Sequence, residues 1–143
     1  MSRLRQPNGD DHPDAAGKLL DDASALLTAQ RNDGAAYLAG YVVECALKTL
    51  VLLERGQVAH IHSLNVLSHE ALRLAAVPGA RTARYARGPT PGHSMYAGNP
   101  RWTEELRYRP PGTIAGATAN EWVEEARRMY LTTIAQMRLD GVI

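Results

Sequence analysis

Residues 35–56 read "AAYLAGYVVECALKTLVLLERG", and this run decides the fold. Its length and its alanine, leucine and valine content predict a helix, closed by Gly56. At 100° per residue, Tyr37, Tyr41, Glu44, Lys48 and Arg55 fall within a sector of about 60°. The rest of the cylinder is Leu, Val, Ala and Cys. A helix apolar nearly all round is a buried helix, here with one narrow polar seam. Glu44 and Lys48 stand at i and i+4 with the acid first, the favourable order for an ion pair. Charge taken out of water persists only when paired and further hydrogen-bonded. The seam therefore has two readings. It is a solvent edge or an internal ion pair that fixes helix register, or it lines a groove that a ligand or partner helix completes.

Upstream, residues 1–12 are polar, with Pro7, Gly9 and two aspartates. They read as a flexible leader to a single domain over residues 13–143. A first helix is expected from Pro13, suited to the first helical position, to about Arg31. Its stripe is Leu19, Leu20, Ala23, Leu26 and Leu27. "RNDG" (31–34) reads as a tight turn, with Asp33 capping a second helix over about 34–54. Downstream, "QVAHIH" (57–62) links to a third helix capped by Ser63, with Leu64, Leu67, Ala71, Leu72 and Ala75 on its apolar face. From Val77 to Ala117 the chain holds six of its eight prolines, six of its twelve glycines and six arginines, so no long helix is expected there. "TANE" (118–121) has the capping-box pattern of a last helix, with Trp122, Val123, Ala126, Met129, Tyr130, Ile134 and Met137 on one face and Gly141 at its end. No alternating strand pattern appears. The expectation is all-α: an antiparallel bundle of four main helices with a long Pro/Gly/Arg-rich loop before the last.

Composition narrows the function. With 143 residues, 45% apolar, 22% charged and a net charge of +1, the chain has the profile of one ordinary globular domain. Near-neutral charge argues against a general nucleic-acid coat protein. Arginine outnumbers lysine fourteen to two. Absent phenylalanine and abundant alanine and glycine make GC-rich coding a better account of that ratio than phosphate binding. The single cysteine, Cys45, excludes a disulfide framework and a cysteine-rich zinc site. Glu44 and Lys48 interrupt the best candidate for the roughly 18 apolar residues of a membrane span, and the first residues lack the apolar stretch of a signal peptide. A cytoplasmic protein without metal or cofactor is expected.

"AAYLAGYVVECALKTLVL" resembles the second helix of the HEPN domain family, which carries an aromatic, then Ala-Gly-Tyr or similar, then Glu, then Leu-Lys. "HSLNVL" (62–67) resembles the family's His-x-Leu-x-x-Leu at the start of the third helix. "ELRYRP" (105–110) resembles the Arg-Tyr-Pro-like motif before the last helix. The three come in the family's order. The resemblance implies a small helical bundle, often a two-fold homodimer, that works in nucleotide or RNA biology and is commonly paired with a nucleotidyltransferase. It makes Tyr41, Glu44, Lys48, His62, Arg107 and Tyr108 the candidate site.

Many members of that family are metal-independent ribonucleases with an Arg, four to six residues, then a His. A neutral His accepts the proton of a ribose 2′-hydroxyl, and an Arg stabilises charge on the phosphorane. The sequence offers Arg55 with His60 or His62, and Arg87 with His93. It departs from the family in that Arg55 is followed by Gly56 at a helix end, and Arg87 lies in a Pro/Gly loop. His60 and His62, at i and i+2, do not form a metal site. Arg81, Arg84 and Arg87, three apart around Tyr85, suit either a phosphate-following face or a solvated loop. Trp102 stacks a base or pins its loop by burial; Trp122 belongs to the core. Three functions follow: a nucleotide- or RNA-binding regulatory module, a toxin-like ribonuclease, or a structural dimer subunit.

Overall fold

The computed structural model describes residues 1–86 and 92–143, and among these residues it is all-helical, with no strand. Helix α1 spans His12–Thr28, α2 Asn32–Arg55 and α3 Leu64–Ala75. A short α4 (His93–Ala97) and a 3-10 turn (Glu104–Tyr108) follow. Helix α5 (Gly116–Tyr130) runs on through a π turn (Leu131–Ala135) into α6 (Gln136–Leu139). In the π turn, the Thr132 and Thr133 hydroxyls donate to the carbonyls of Arg128 and Met129. Side-chain bonds of this kind compete with the α-helical ladder.

Helix α2 is the centre, with α1, α3 and α5 packed around it and α1 also against α5. Every residue from Val42 to Leu53 is buried. By length and composition α2 is apolar enough to cross a membrane, despite Glu44 and Lys48, but 83% of that window is buried inside the bundle. Its apolar surface is thus spent on α1, α3 and α5.

Two caps differ from the sequence reading. Helix α1 stops at Thr28, and Gln30 takes a left-handed conformation (φ 58°). The Arg31 N–H then reaches back to the Leu26 carbonyl at 2.8 Å, a closure more often built on glycine. Helix α2 consequently opens at Asn32, and Asp33 lies inside its first turn instead of capping it. The Asp33 carboxylate accepts from the N–H groups of Gly112 (2.7 Å) and Ile114 (2.8 Å), so it ties the loop before α5 to the head of α2. The "TANE" capping box does not form either. Helix α5 opens two residues earlier, at Gly116, without a side-chain cap. A Cβ on Gly116 would stand 3.2 Å from Asn32 Nδ2, so the two helix heads approach at that point. Ser63 does cap α3, accepting from the Val66 N–H.

The stretch after α3 is fastened to the bundle. Glu54 accepts the Thr82 N–H at 2.6 Å, and Arg81 donates to the Leu53 carbonyl. The Tyr85 hydroxyl donates to Asp140 at 2.6 Å, with Arg84 beside the same carboxylate. The arginine face expected over 81–87 is therefore not an open phosphate track. Arg81 and Arg84 are engaged, Tyr85 is 4% exposed, and Arg87 lies outside the described residues. At the other end, the Ser2 N–H and hydroxyl both reach Asp11 at 2.7 Å, and Arg3 donates to the Gly141 carbonyl.

Candidate functional site

The seam on α2 divides into three separate environments. At its upper end Tyr37 and Tyr41 meet edge to face at 5.1 Å, hydroxyl to hydroxyl at 3.3 Å. Tyr41 meets the Trp102 ring at 5.1 Å, and the indole N–H donates to the Tyr37 carbonyl at 3.0 Å. Burial and the bond to Tyr37 raise the Tyr41 pKa, so the phenol stays neutral. Trp102, expected among the ligand-binding residues, is 4% exposed and lies on the helix over Gly40. It pins the loop and has no open face for a base.

In the middle, Glu44 Oε1 receives Lys48 Nζ at 2.8 Å and His62 Nδ1 at 2.9 Å. Glu44 and Lys48 are 4% and 7% exposed. Within the chain the pair is therefore internal, and His62 brings the 57–63 link onto α2. Glu44 Oε2 is buried without a hydrogen-bond partner among the described residues, as is His12 Nε2. His12, to which no local motif assigns a role, sits at the start of α1 under the influence of Lys48 and Glu44. Burial first, then the Lys48 charge, holds its pKa below the ordinary 6.5. The unfolded chain therefore binds a proton that the folded chain refuses. This contribution to stability is complete above about pH 6.5 and is lost as pH falls below it. Urea midpoints should drop between about pH 7 and pH 5, and His12→Gln should flatten that slope; parallel slopes would contradict the placement.

At the lower end Arg55 pairs with Glu70 of α3, which also holds Arg73 through two hydrogen bonds. His60 lines a different groove, with Gln6, Asn8 and Asp10. Arg55, His60 and His62 thus have different partners, and no hydrogen bond or ion pair joins them among the described residues. Of the three, His62 borders a cleft of about 290 Å³ that also contains Tyr96, Arg101 and Trp102. The alternative pair, Arg87 with His93, has Arg87 outside the described residues.

Arg107 and Tyr108 make no hydrogen bond or ion pair with Glu44 or Lys48 among the described residues. They sit in the 3-10 turn, with the Arg107 guanidinium 4.8 Å over the Tyr108 ring and close to the Tyr37 hydroxyl. Tyr108 is 74% exposed. Arg107 instead lines a groove of about 500 Å³ between the end of α1, the head of α2 and the 106–114 stretch. Arg31 and Arg109 stand in the same lining with Tyr37, beside apolar Leu26, Leu106 and Ile114. Among the described residues, the guanidiniums of Arg31 and Arg109 have no ion pair or hydrogen bond. The one acid in the lining is Asp33, whose two oxygens are already taken by backbone N–H groups. Helix α2 also starts there without a side-chain cap, leaving first-turn N–H groups uncompensated.

The groove thus combines unopposed positive charge with apolar surface, a combination suited to an anion carrying a flat or aliphatic body. Sequence reading found Arg107 but missed Arg31 and Arg109. Arg109 lies two residues beyond Arg107 in the quoted motif, whereas nothing local relates Arg31 to either. No cluster of three or more His, Cys, Asp or Glu residues able to hold a metal occurs among the described residues. Fold and groove together describe a protein that is all-helical among the described residues and carries an arginine-lined groove. No family model, curated protein or solved structure matches the chain.

Proposed function

We propose that this chain is a HEPN-like nucleotide- or RNA-binding regulatory module. It acts in the cytoplasm as a homodimer paired with a nucleotidyltransferase. The observation that carries the binding part is the presence of Arg31, Arg107 and Arg109 in the lining of one groove, together with Tyr37. Three guanidiniums, two of them without a partner among the described residues, offer N–H donors to phosphate oxygens, and the apolar side chains of the lining offer a surface to a base. Phosphate binding by arginine is strong because the planar fork makes two charge-assisted hydrogen bonds at once. The dimer, the nucleotidyltransferase and the four-helix HEPN plan rest on the three motifs.

Titration of fluorescent single-stranded RNA and of nucleotides into the protein tests the reading. Each Arg→Ala change in the groove is expected to weaken binding about tenfold, as a hydrogen bond to a charged group is worth about 1.5–3 kcal/mol. Unchanged affinity in the three single variants would refute it. The ribonuclease reading keeps one specific observation in its favour. Nδ1 of His62 is held by buried Glu44, which leaves Nε2 as the free nitrogen, and Arg101 shares its cleft. In that reading His62 is the base and Arg101, not Arg55, attends the phosphate. RNA cut in EDTA by the wild type and left intact by His62→Ala would establish it.

A further inference from the structure

We infer that the groove at the head of α2 recognises a terminal phosphate monoester, not the internal phosphodiesters of a strand. This rests on the phosphate-binding reading above and deepens it. Three features of the groove carry the inference.

The first is charge density. Arg31, Arg107 and Arg109 oppose a single carboxylate, Asp33, that is already satisfied by two backbone N–H groups. An internal phosphodiester carries one negative charge and passes on to neighbours on both sides, for which a line of separated cations is the fitting partner. Three guanidiniums gathered in one groove match a group with three free oxygens and close to two charges, as a monoester has near neutral pH.

The second is size. At about 500 Å³ the groove has the size of a small-molecule site. Its far wall is the 109–114 stretch, held against α2 by Asp33 at 2.7 and 2.8 Å. A volume of that order matches one nucleotide or the end of a strand.

The third is the arrangement of polar and apolar groups. Leu26, Leu106 and Ile114 supply apolar surface and Tyr37 a ring edge and hydroxyl. This gives a terminal nucleotide a place for its base beside the place for its phosphate. The shared chemistry is a phosphate monoester on a nucleoside, and it has two sources: a free nucleoside monophosphate or the 5′-phosphorylated end of an RNA.

One short single-stranded RNA, prepared with a 5′-phosphate and with a 5′-hydroxyl, is the probe, with a nucleoside monophosphate as competitor. The wild-type protein is expected to bind the phosphorylated form at least about tenfold more tightly. The preference should shrink from about pH 7.5 to about pH 5, as the second phosphate ionisation (pKa about 6) is reversed. It should vanish in Arg31→Ala/Arg109→Ala, whose exposed, unpaired side chains the fold does not need. Arg109→Lys keeps the charge without the fork and should fall between. Competition by the monophosphate makes the free nucleotide the source, and its failure to compete makes the RNA end the source; either result supports the inference. Equal, arginine-dependent binding of both RNAs would overturn end recognition and leave the phosphate-binding reading standing. Absence of binding by every probe would overturn both.

Discussion

Lys48→Met is expected to lower the unfolding free energy by about 3–5 kcal/mol, the usual consequence of leaving one charge of a buried pair alone. The expectation follows from how little else surrounds Glu44. Its Oε1 has Lys48 and His62, its Oε2 has no hydrogen-bond partner among the described residues, and the residue is 4% exposed. Without the ammonium, the buried carboxylate keeps only the His62 ring as a partner among the described residues, and a buried charge so poorly compensated is costly. A Glu44→Met/Lys48→Met double variant should recover most of the loss, because an apolar pair of similar volume has no charge to desolvate. Urea denaturation at neutral pH measures both. A Lys48→Met loss below about 1 kcal/mol, the range of exposed pairs, would mean that the pair is solvated and the seam is open.

Gly40→Ala is expected to be as damaging although it adds one methyl group. An ideal Cβ at residue 40 would stand 1.8 Å from Cε2 and 1.9 Å from Nε1 of Trp102. Nothing that close can be absorbed by a small shift, so the indole must leave the helix. With it go its bond to the Tyr37 carbonyl, its packing on Tyr41 and its burial. Removing a buried tryptophan's packing costs about 3–5 kcal/mol, and the emission spectrum of the protein should move to the red. In a Trp102→Ala background the same Gly40→Ala change should be harmless or stabilising by up to about 1 kcal/mol, since alanine favours the helix. The coupling between the two sites is the readout. Equal costs in both backgrounds would show that Trp102 does not lie on Gly40.

Much of the fold was legible because its central element declares itself. The run from Val42 to Leu53 has no solvent face to speak of, and its polar exceptions stand at helical spacing. The all-α class, the Ser63 cap and the Gly56 and Gly141 stops follow from local chemistry and appear in the structure. Expectation fails where a local signal has a distant competitor. Asp33 looks like a cap until Gly112 and Ile114 present their N–H groups. "TANE" looks like a helix start, but the helix already opens at Gly116, where its head meets Asn32.

The site was legible in pieces. Glu44 with Lys48 follows from i, i+4 spacing, but the bond from His62 requires the link to fold back. Tyr37, on the seam, lies at the groove, while Tyr41 faces Trp102. His12 and Arg31 had no local signal at all, because their positions are set by how α1 docks on α2. Trp102 shows the converse. The glycine of "AGY" (39–41) accommodates an aromatic sixty-two positions away in the chain, which no helical periodicity reveals.

Whether the groove meets phosphate is decided by the salt dependence of RNA binding, compared between the wild type and Arg31→Ala/Arg107→Ala/Arg109→Ala. For single strands, each phosphate that the protein no longer neutralises reduces the slope of log affinity against log salt by about 0.7. Three guanidiniums acting on phosphate predict weaker binding in the variant and a slope shallower by up to about 2. Identical affinity and slope in the two proteins would mean that the groove at the head of α2 does not meet phosphate, and the proposed function would fall with it.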